Sequence, residues 1–170
     1  MERQNSRMLA VGAIVSALAV VLLYISCVLP TLQLTVVAVA GVLSAAVLIE
    51  CGPGRAALVY LCVSVLSLLL LPDKSSAVFY VLFFGHYPIV KYELERIHNP
   101  VCCWAAKLAA GNLCIGALAL LLALFFPEWR FEYPLWIVWL LGIAVFVLFD
   151  LDLTRLIAYY QFRIRPKIMR

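Results

Sequence analysis

The stretch MLAVGAIVSALAVVLLYISCVL, residues 8–29, decides the fold class of this chain. It contains no charged residue and no proline, and it is long enough to match the ~20 residues that a helix needs to cross a bilayer. It is also longer than the apolar core of a secretory signal peptide, so we expect it to be retained as a membrane span. A short basic segment with Arg3 and Arg7 precedes it, and Pro30 ends it.

The rest of the chain has the same apolar character. Hydrophobic residues make up 66% of the 170 residues and charged residues only 13%. A soluble domain of this size has too much surface for its volume to bury so many apolar side chains. In lipid every backbone group must be paired, and unbroken apolar runs favour helices over the alternating pattern of barrel strands. We therefore predict an all-α integral membrane protein of bacterial type, with a single transmembrane domain over residues 1–170.

Turn-forming residues divide the chain into six apolar runs. They predict about six transmembrane helices, at residues 8–29, 34–49, 56–71, 77–96, 104–126 and 135–153, followed by a basic tail at 155–170. Spans two and three are short, and a re-entrant hairpin is the alternative for that pair. Gly85-His86-Tyr87-Pro88 interrupts span four, where Pro88 is expected to kink the helix.

The basic residues are distributed unevenly across the predicted spans. Of the thirteen Lys and Arg residues, only Lys74 and Arg130 fall on the exterior side of a six-span arrangement. The positive-inside rule then places both termini in the cytoplasm and the protein in the plasma membrane. A re-entrant hairpin would move Arg55 to the outside, which favours six crossings. Because topology accounts for the net charge of +4, that charge does not indicate nucleic-acid binding.

Catalytic and metal-binding signatures are absent from the sequence. There is no GxxxxGK[ST], HExxH or GxSxG motif, and no His/Cys cluster at metal-ligand spacing. We expect no catalytic residues, no metal and no cofactor. The six cysteines form no CxxC pair and lie mostly in apolar runs, where we expect them to remain free thiols. They are Cys27, Cys51, Cys62, Cys102, Cys103 and Cys114.

Two acidic residues stand at the inner end of span six. Asp152 and Arg155 are three residues apart, so they can pair on a helix surface. We interpret Asp150 and Asp152 as interfacial charges that fix the end of the helix. The alternative is an acid/base or metal site on the cytosolic face, with Glu50 and His98 as further members.

Small residues form one face of the first span. Ala13 and Ala17 form an Ala-x-x-x-Ala motif, and Gly12 and Ser16 widen the small surface. In lipid, small side chains permit the close backbone approach on which helix packing depends. This face is a candidate docking surface for another membrane subunit, and packing within the chain is the alternative.

Polar and aromatic residues lie at depths where they could contact a ligand. His86 and Asn112 are predicted near mid-membrane, where polar groups usually face the bundle interior. A hydrogen bond between these two side chains is the structural alternative. Lys91 and Lys107 lie toward the inside, and Lys91 can extend to the interface without a partner. The substrate-binding candidates are His86, Asn112, Tyr80, Gln33, Trp136 and Trp139, and together they suit a small, flat or partly polar ligand.

These features resemble the substrate-binding (S) components of energy-coupling factor (ECF) transporters. The likeness is carried by residues 7–19 with Ala13 and Ala17, by Pro30, and by the Gly-Pro turn and small-residue helix at 52–60. The resemblance implies six helices, cytoplasmic termini and capture of a vitamin or related micronutrient. It also implies partners, a transmembrane coupling subunit that docks at Ala13 and Ala17 and two ATPases that energise uptake.

Two other functions remain open from the sequence. A non-catalytic membrane scaffold, similar to the rod-shape factors of cell-wall synthesis, would bind partners through the charged segments 91–98 and 155–170. A small intramembrane enzyme would require Asp150, Asp152 and Glu50 to converge in space.

Overall fold

The structure, a computed structural model, describes residues 2–125 and 134–160. Over these residues it is all-helical and contains no strand, which confirms the all-α part of the prediction. The chain divides into two compact units, Met1–Glu93 and Leu94–Arg170.

Seven α-helices are present in the described residues. In the first unit they are α1 (Glu2–Val28), α2 (Gln33–Cys51), α3 (Pro53–Leu70), α4 (Lys74–Phe79) and α5 (Tyr87–Leu94), with a 3₁₀ turn at Pro30–Leu32 and a π-helical segment at Tyr80–Phe84. In the second unit they are α6 (Pro100–Phe125) and α7 (Leu135–Tyr159).

Five of these helices are long and apolar enough to cross a membrane: α1, α2, α3, α6 and α7. They correspond to predicted spans one, two, three, five and six, and they support a multi-pass membrane protein. Two of the helices extend beyond their apolar runs: α1 begins at Glu2, and α7 continues to Tyr159, into the predicted basic tail. The remainder of that tail, from residue 161, lies outside the described residues, as do residues 126–133 between α6 and α7.

Span four, predicted as a kinked helix over 77–96, is instead three short helical pieces. The break precedes Pro88, because residues 80–84 are π-helical and residues 85–86 form a turn. The Gly85 amide donates to the Tyr80 carbonyl at 2.7 Å, which is an i to i+5 bond. Pro88 lies in the first turn of α5, where the missing N–H breaks no intrahelical bond.

Small residues let the helices of the first unit approach closely. α1 packs on α2 and α3 with Ser16, Ala19, Leu23 and Ser26 buried, which is one face of the helix. A Cβ on Gly41 of α2 would lie 2.5 Å from the Phe84 carbonyl oxygen, so this glycine permits α2 to touch the π-helical backbone. Between α2 and α3, Gly52 adopts a φ of 85°, which an L side chain rarely accepts.

The second unit is an antiparallel pair of long helices whose residues match in steps of four. Gly111 of α6 receives the ring of Phe146, and Gly142 of α7 receives Ile115. One turn further along from the Gly111–Phe146 contact, Lys107 meets Asp150. The pairing therefore places large side chains over glycines and one cation opposite one anion.

Candidate functional site

The break in predicted span four, at residues 80–86, brings together aromatic and polar side chains from α2, α3 and the broken span itself. The Tyr80 and Ser44 hydroxyls are 3.0 Å apart, which joins the π-helical segment to the middle of α2. The Tyr60 hydroxyl of α3 donates to the Val81 carbonyl at 3.0 Å. The His86 Nδ1 atom lies 3.2 Å from the same carbonyl. A carbonyl can only accept, so the His86 Nδ1 atom carries a proton in this contact.

The rings of this cluster are in contact with one another. The centroid of the Tyr60 ring is 6.2 Å from that of Tyr80 and 6.1 Å from that of His86. Gly85 makes the arrangement possible, because a Cβ at this position would lie 2.7 Å from the Tyr80 ring. We call Ser44, Tyr60, Tyr80 and His86 the helix-break cluster. Of the predicted binding residues, it contains Tyr80 and His86.

One buried hydroxyl on the same helix face as Tyr60 has no hydrogen-bond partner in the described part of the chain. Ser64 stands one turn after Tyr60 on α3, and its side chain is 6% exposed. A serine hydroxyl inside a helix can donate a hydrogen bond to the backbone carbonyl one turn before it. Buried polar atoms without a partner are rare, and an absent ligand or water is one explanation for them.

Gln33, also predicted to bind substrate, belongs to a different cluster. Its Nε2 atom lies 2.9 Å from an Asp73 carboxylate oxygen and 2.7 and 2.8 Å from the Ser75 and Ser76 hydroxyls. Asp73 is the N-cap of α4 and accepts from the Ser75 amide at 3.0 Å. Gln33 therefore fastens the start of α4 to the start of α2. Ser44 lies about 16 Å further along α2, so the structure does not bring Gln33 to the helix-break cluster.

The Asp73 carboxylate is adapted to this cap. Partial burial alone would raise its pKa, but the hydrogen bonds from Ser75 and Ser76 outweigh that effect and leave the pKa below its usual range. Asp73 therefore carries its charge at neutral pH, next to the positive end of the α4 dipole.

The remaining predicted binding residues lie in the second unit. The Trp139 Nε1 atom donates to Asn112 Oδ1 at 2.9 Å, and Asn112 Nδ2 donates to the Leu108 carbonyl at 2.9 Å. Within the second unit, the partners of Asn112 are therefore Leu108 and Trp139. Trp136 is 69% exposed on α7.

The predicted docking face on α1 separates into two faces. Ser16 is buried and donates to the Gly12 carbonyl at 2.8 Å, while Gly12 faces Val59 of α3. Ala13 and Ala17 are exposed. Gly12 and Ser16 thus serve packing within the chain, and only Ala13 and Ala17 remain available to a partner.

Sequence analysis missed a buried ionic cluster in the second unit. Lys107 of α6 lies 2.9 Å from a Glu95 oxygen and 3.2 Å from an Asp150 oxygen, and both Lys107 and Asp150 are buried. The interpretation of Asp150 as an interfacial charge is therefore wrong. Lys107 lies near the start of predicted span five and Asp150 near the end of predicted span six. Because the two helices are antiparallel, these positions could have signalled the pair.

Other charged residues also differ from expectation. Asp152 and Arg155 are both exposed, and no ion pair joins them in the structure. Since Asp150 is buried and Asp152 is exposed, their carboxylates lie in different environments. Lys91 is 1% exposed, so it does not extend to the interface as predicted.

Neither metal-site geometry nor a disulfide is found in the described residues. No group of three or more His, Cys, Asp or Glu residues there is arranged to hold a metal ion. All six cysteines are free thiols, as the sequence predicted.

A scan against protein-family models and searches of curated proteins and solved structures found no match for this chain.

Proposed function

We propose that this chain is a membrane-embedded substrate-binding subunit that holds a small molecule at the break in its fourth segment. The observation that carries the proposal is the π-helical turn at 80–84 followed by the turn at 85–86, flanked by helices long enough to cross a membrane. Helices broken at membrane depth are tolerated where the freed backbone is buried or lines a cavity, and transporters use such breaks to build substrate sites. π-Helical turns also concentrate at functional sites.

The chemistry of the helix-break cluster suits a small, neutral and partly aromatic ligand. Tyr60, Tyr80 and His86 offer ring faces against which a flat ligand can stack. The unpartnered Ser64 hydroxyl adds a group that a ligand could satisfy. There is no carboxylate among these residues, so the cluster is poorly suited to a cation.

The proposed partner surface is the exposed alanine face of α1. Ala10, Ala13 and Ala17 are all exposed, whereas a lipid-facing helix surface has no need of small side chains. Together with the resemblance to S components, this supports a transmembrane coupling subunit and ATPases as partners and a vitamin-type micronutrient as the ligand. The basic-residue distribution supports a plasma-membrane location with both termini in the cytoplasm.

Mass spectrometry of small molecules that co-purify with the chain in detergent tests the ligand. The wild type is expected to carry a vitamin-sized compound, and His86→Leu is expected to lose most of it. His98→Leu is the matched control, because the only other histidine of the chain is exposed. Equal recovery from all three proteins would remove His86 from the site, and a wild type without any such compound would favour the scaffold function.

Co-purification with a coupling subunit tests the docking face. Ala13→Leu and Ala17→Leu are expected to abolish the complex while the isolated chain stays folded, because larger side chains prevent close helix approach. Ala109→Leu is the control, since Ala109 is an exposed alanine of α6. A complex that survives both α1 substitutions would show that the partner binds elsewhere.

A further inference from the structure

Lys107 is shared by two carboxylates that lie in different environments. The Lys107 side chain is 7% exposed, that of Asp150 is 2% exposed and that of Glu95 is 44% exposed. The ammonium also lies 5.5 Å from the centre of the Trp104 ring, a distance at which the ring face attracts a cation.

This difference in exposure makes the two ion pairs unequal. Lys107 and Asp150 are both removed from water, so loss of Lys107 would leave the buried Asp150 charge without its cation, and loss of Asp150 would leave Lys107 with the exposed Glu95 alone. Glu95 reaches water, so its carboxylate can be hydrated when it leaves the lysine. The Lys107–Asp150 pair is neutral by itself and does not need Glu95 to remain stable.

Glu95 stands at the start of the connection between α5 and α6. It follows Leu94, the last residue of α5, and residues 95–99 are all exposed. The Leu94 carbonyl accepts from the Cys103 thiol at 3.4 Å and from the Ile97 amide at 3.1 Å. Lys107 and Cys103, one helical turn apart on α6, therefore both hold residues 94–95.

We infer that Lys107 has two separate tasks, a permanent one toward Asp150 and a reversible one toward Glu95. The Lys107–Asp150 pair fixes α6 against α7. The Lys107–Glu95 contact is a clasp that holds residues 94–99 on α6 and can open while the two long helices stay packed. This inference rests on the ion-pair geometry alone and does not depend on the proposed substrate.

Thiol labelling measures the opening of the clasp. The reagent is a maleimide, applied to folded protein in detergent in a Cys102→Ser background, so that labelling in this region reports on Cys103. Glu95→Ala is expected to raise the labelling rate of Cys103 by about two- to fivefold, the effect of losing one partly exposed ion pair. In a Cys103→Ser background the exposed Cys102 is expected to react at the same rate with and without Glu95→Ala.

Thermal unfolding measures the permanent pair. Asp150→Asn is expected to lower the unfolding midpoint by about 10 °C, because it leaves the lysine charge without its buried partner. Asp152→Asn is the matched control on the same helix and is expected to change little, as is Glu95→Ala. The inference is wrong if Glu95→Ala destabilises the protein as much as Asp150→Asn, or if Glu95→Ala leaves the labelling rate of Cys103 unchanged.

Discussion

Replacement of Gly41 by alanine should destabilise the first unit, because Gly41 is where α2 touches the helix break. The added Cβ would lie 2.5 Å from the Phe84 carbonyl oxygen and 3.0 Å from both the Phe84 carbonyl carbon and Cβ. Two of these three atoms belong to the backbone, so no side-chain rotation relieves the clash. Overpacking of this kind costs about 1–3 kcal/mol. Alanine recovers about 1 kcal/mol of helix propensity.

The balance of these two effects is a net loss of up to about 2 kcal/mol in the free energy of unfolding. Denaturant titration in detergent, followed by far-ultraviolet circular dichroism, measures it. Gly54→Ala is the matched control, because it lies in the first turn of α3 and has nothing within 4 Å of the added Cβ. That variant should gain about 0.5 kcal/mol. A Gly41→Ala protein that gains as much stability as Gly54→Ala would refute the close contact between α2 and the π-helical segment.

Three further substitutions probe the rest of the chain. Asp73→Ala should lower the thermal midpoint at pH 7. Because folding lowers the pKa of Asp73, the difference from the wild type should shrink as the pH falls below about 4. Thermal scans from pH 3 to 7 measure this difference. Lys107→Leu and Asp150→Leu should each lower the free energy of unfolding by about 3–5 kcal/mol, and the double variant should recover most of that loss. A double-mutant cycle measures the coupling, and fully additive losses would mean that the two residues do not interact. Gly52→Ala should cost about 1–2 kcal/mol in the same titration, because φ is 85° there, and an unchanged stability would show that the turn accepts a side chain.

The sequence predicts the helices well because length and apolarity are sufficient to identify them. Residues 8–29 form an unbroken apolar run and residues 104–126 an apolar run with only Lys107 and Asn112 inside it, and α1 and α6 include both runs almost completely. The helix ends are less predictable, because α1 and α7 continue past their apolar runs into segments that contain charged residues, from Glu2 in α1 and as far as Tyr159 in α7. The break of span four is signalled by Gly85 and Pro88, but the close approach of Gly41 to the Phe84 backbone in the π-helical turn joins residues that are far apart in the sequence.

The candidate site is only partly predictable, because periodicity does not say which face of a helix is covered. On α1 the positions of Gly12 and Ser16 and those of Ala13 and Ala17 repeat equally well, and packing against α2 and α3 distinguishes them. Aromatic residues could not be assigned to a cluster for the same reason. Tyr60 drew no attention in the sequence, but the structure places it against both Tyr80 and His86.

Hydrogen–deuterium exchange of the purified chain, with its co-purified small molecule retained or stripped, most directly tests whether a ligand occupies the helix break. A ligand at the helix-break cluster should slow exchange of the amides of residues 80–86 by about tenfold or more, because it stabilises the closed state of that segment. The amides of α6 should exchange at the same rate in both samples. Identical exchange at residues 80–86, or slowing confined to α6 and α7, would contradict a site at the break.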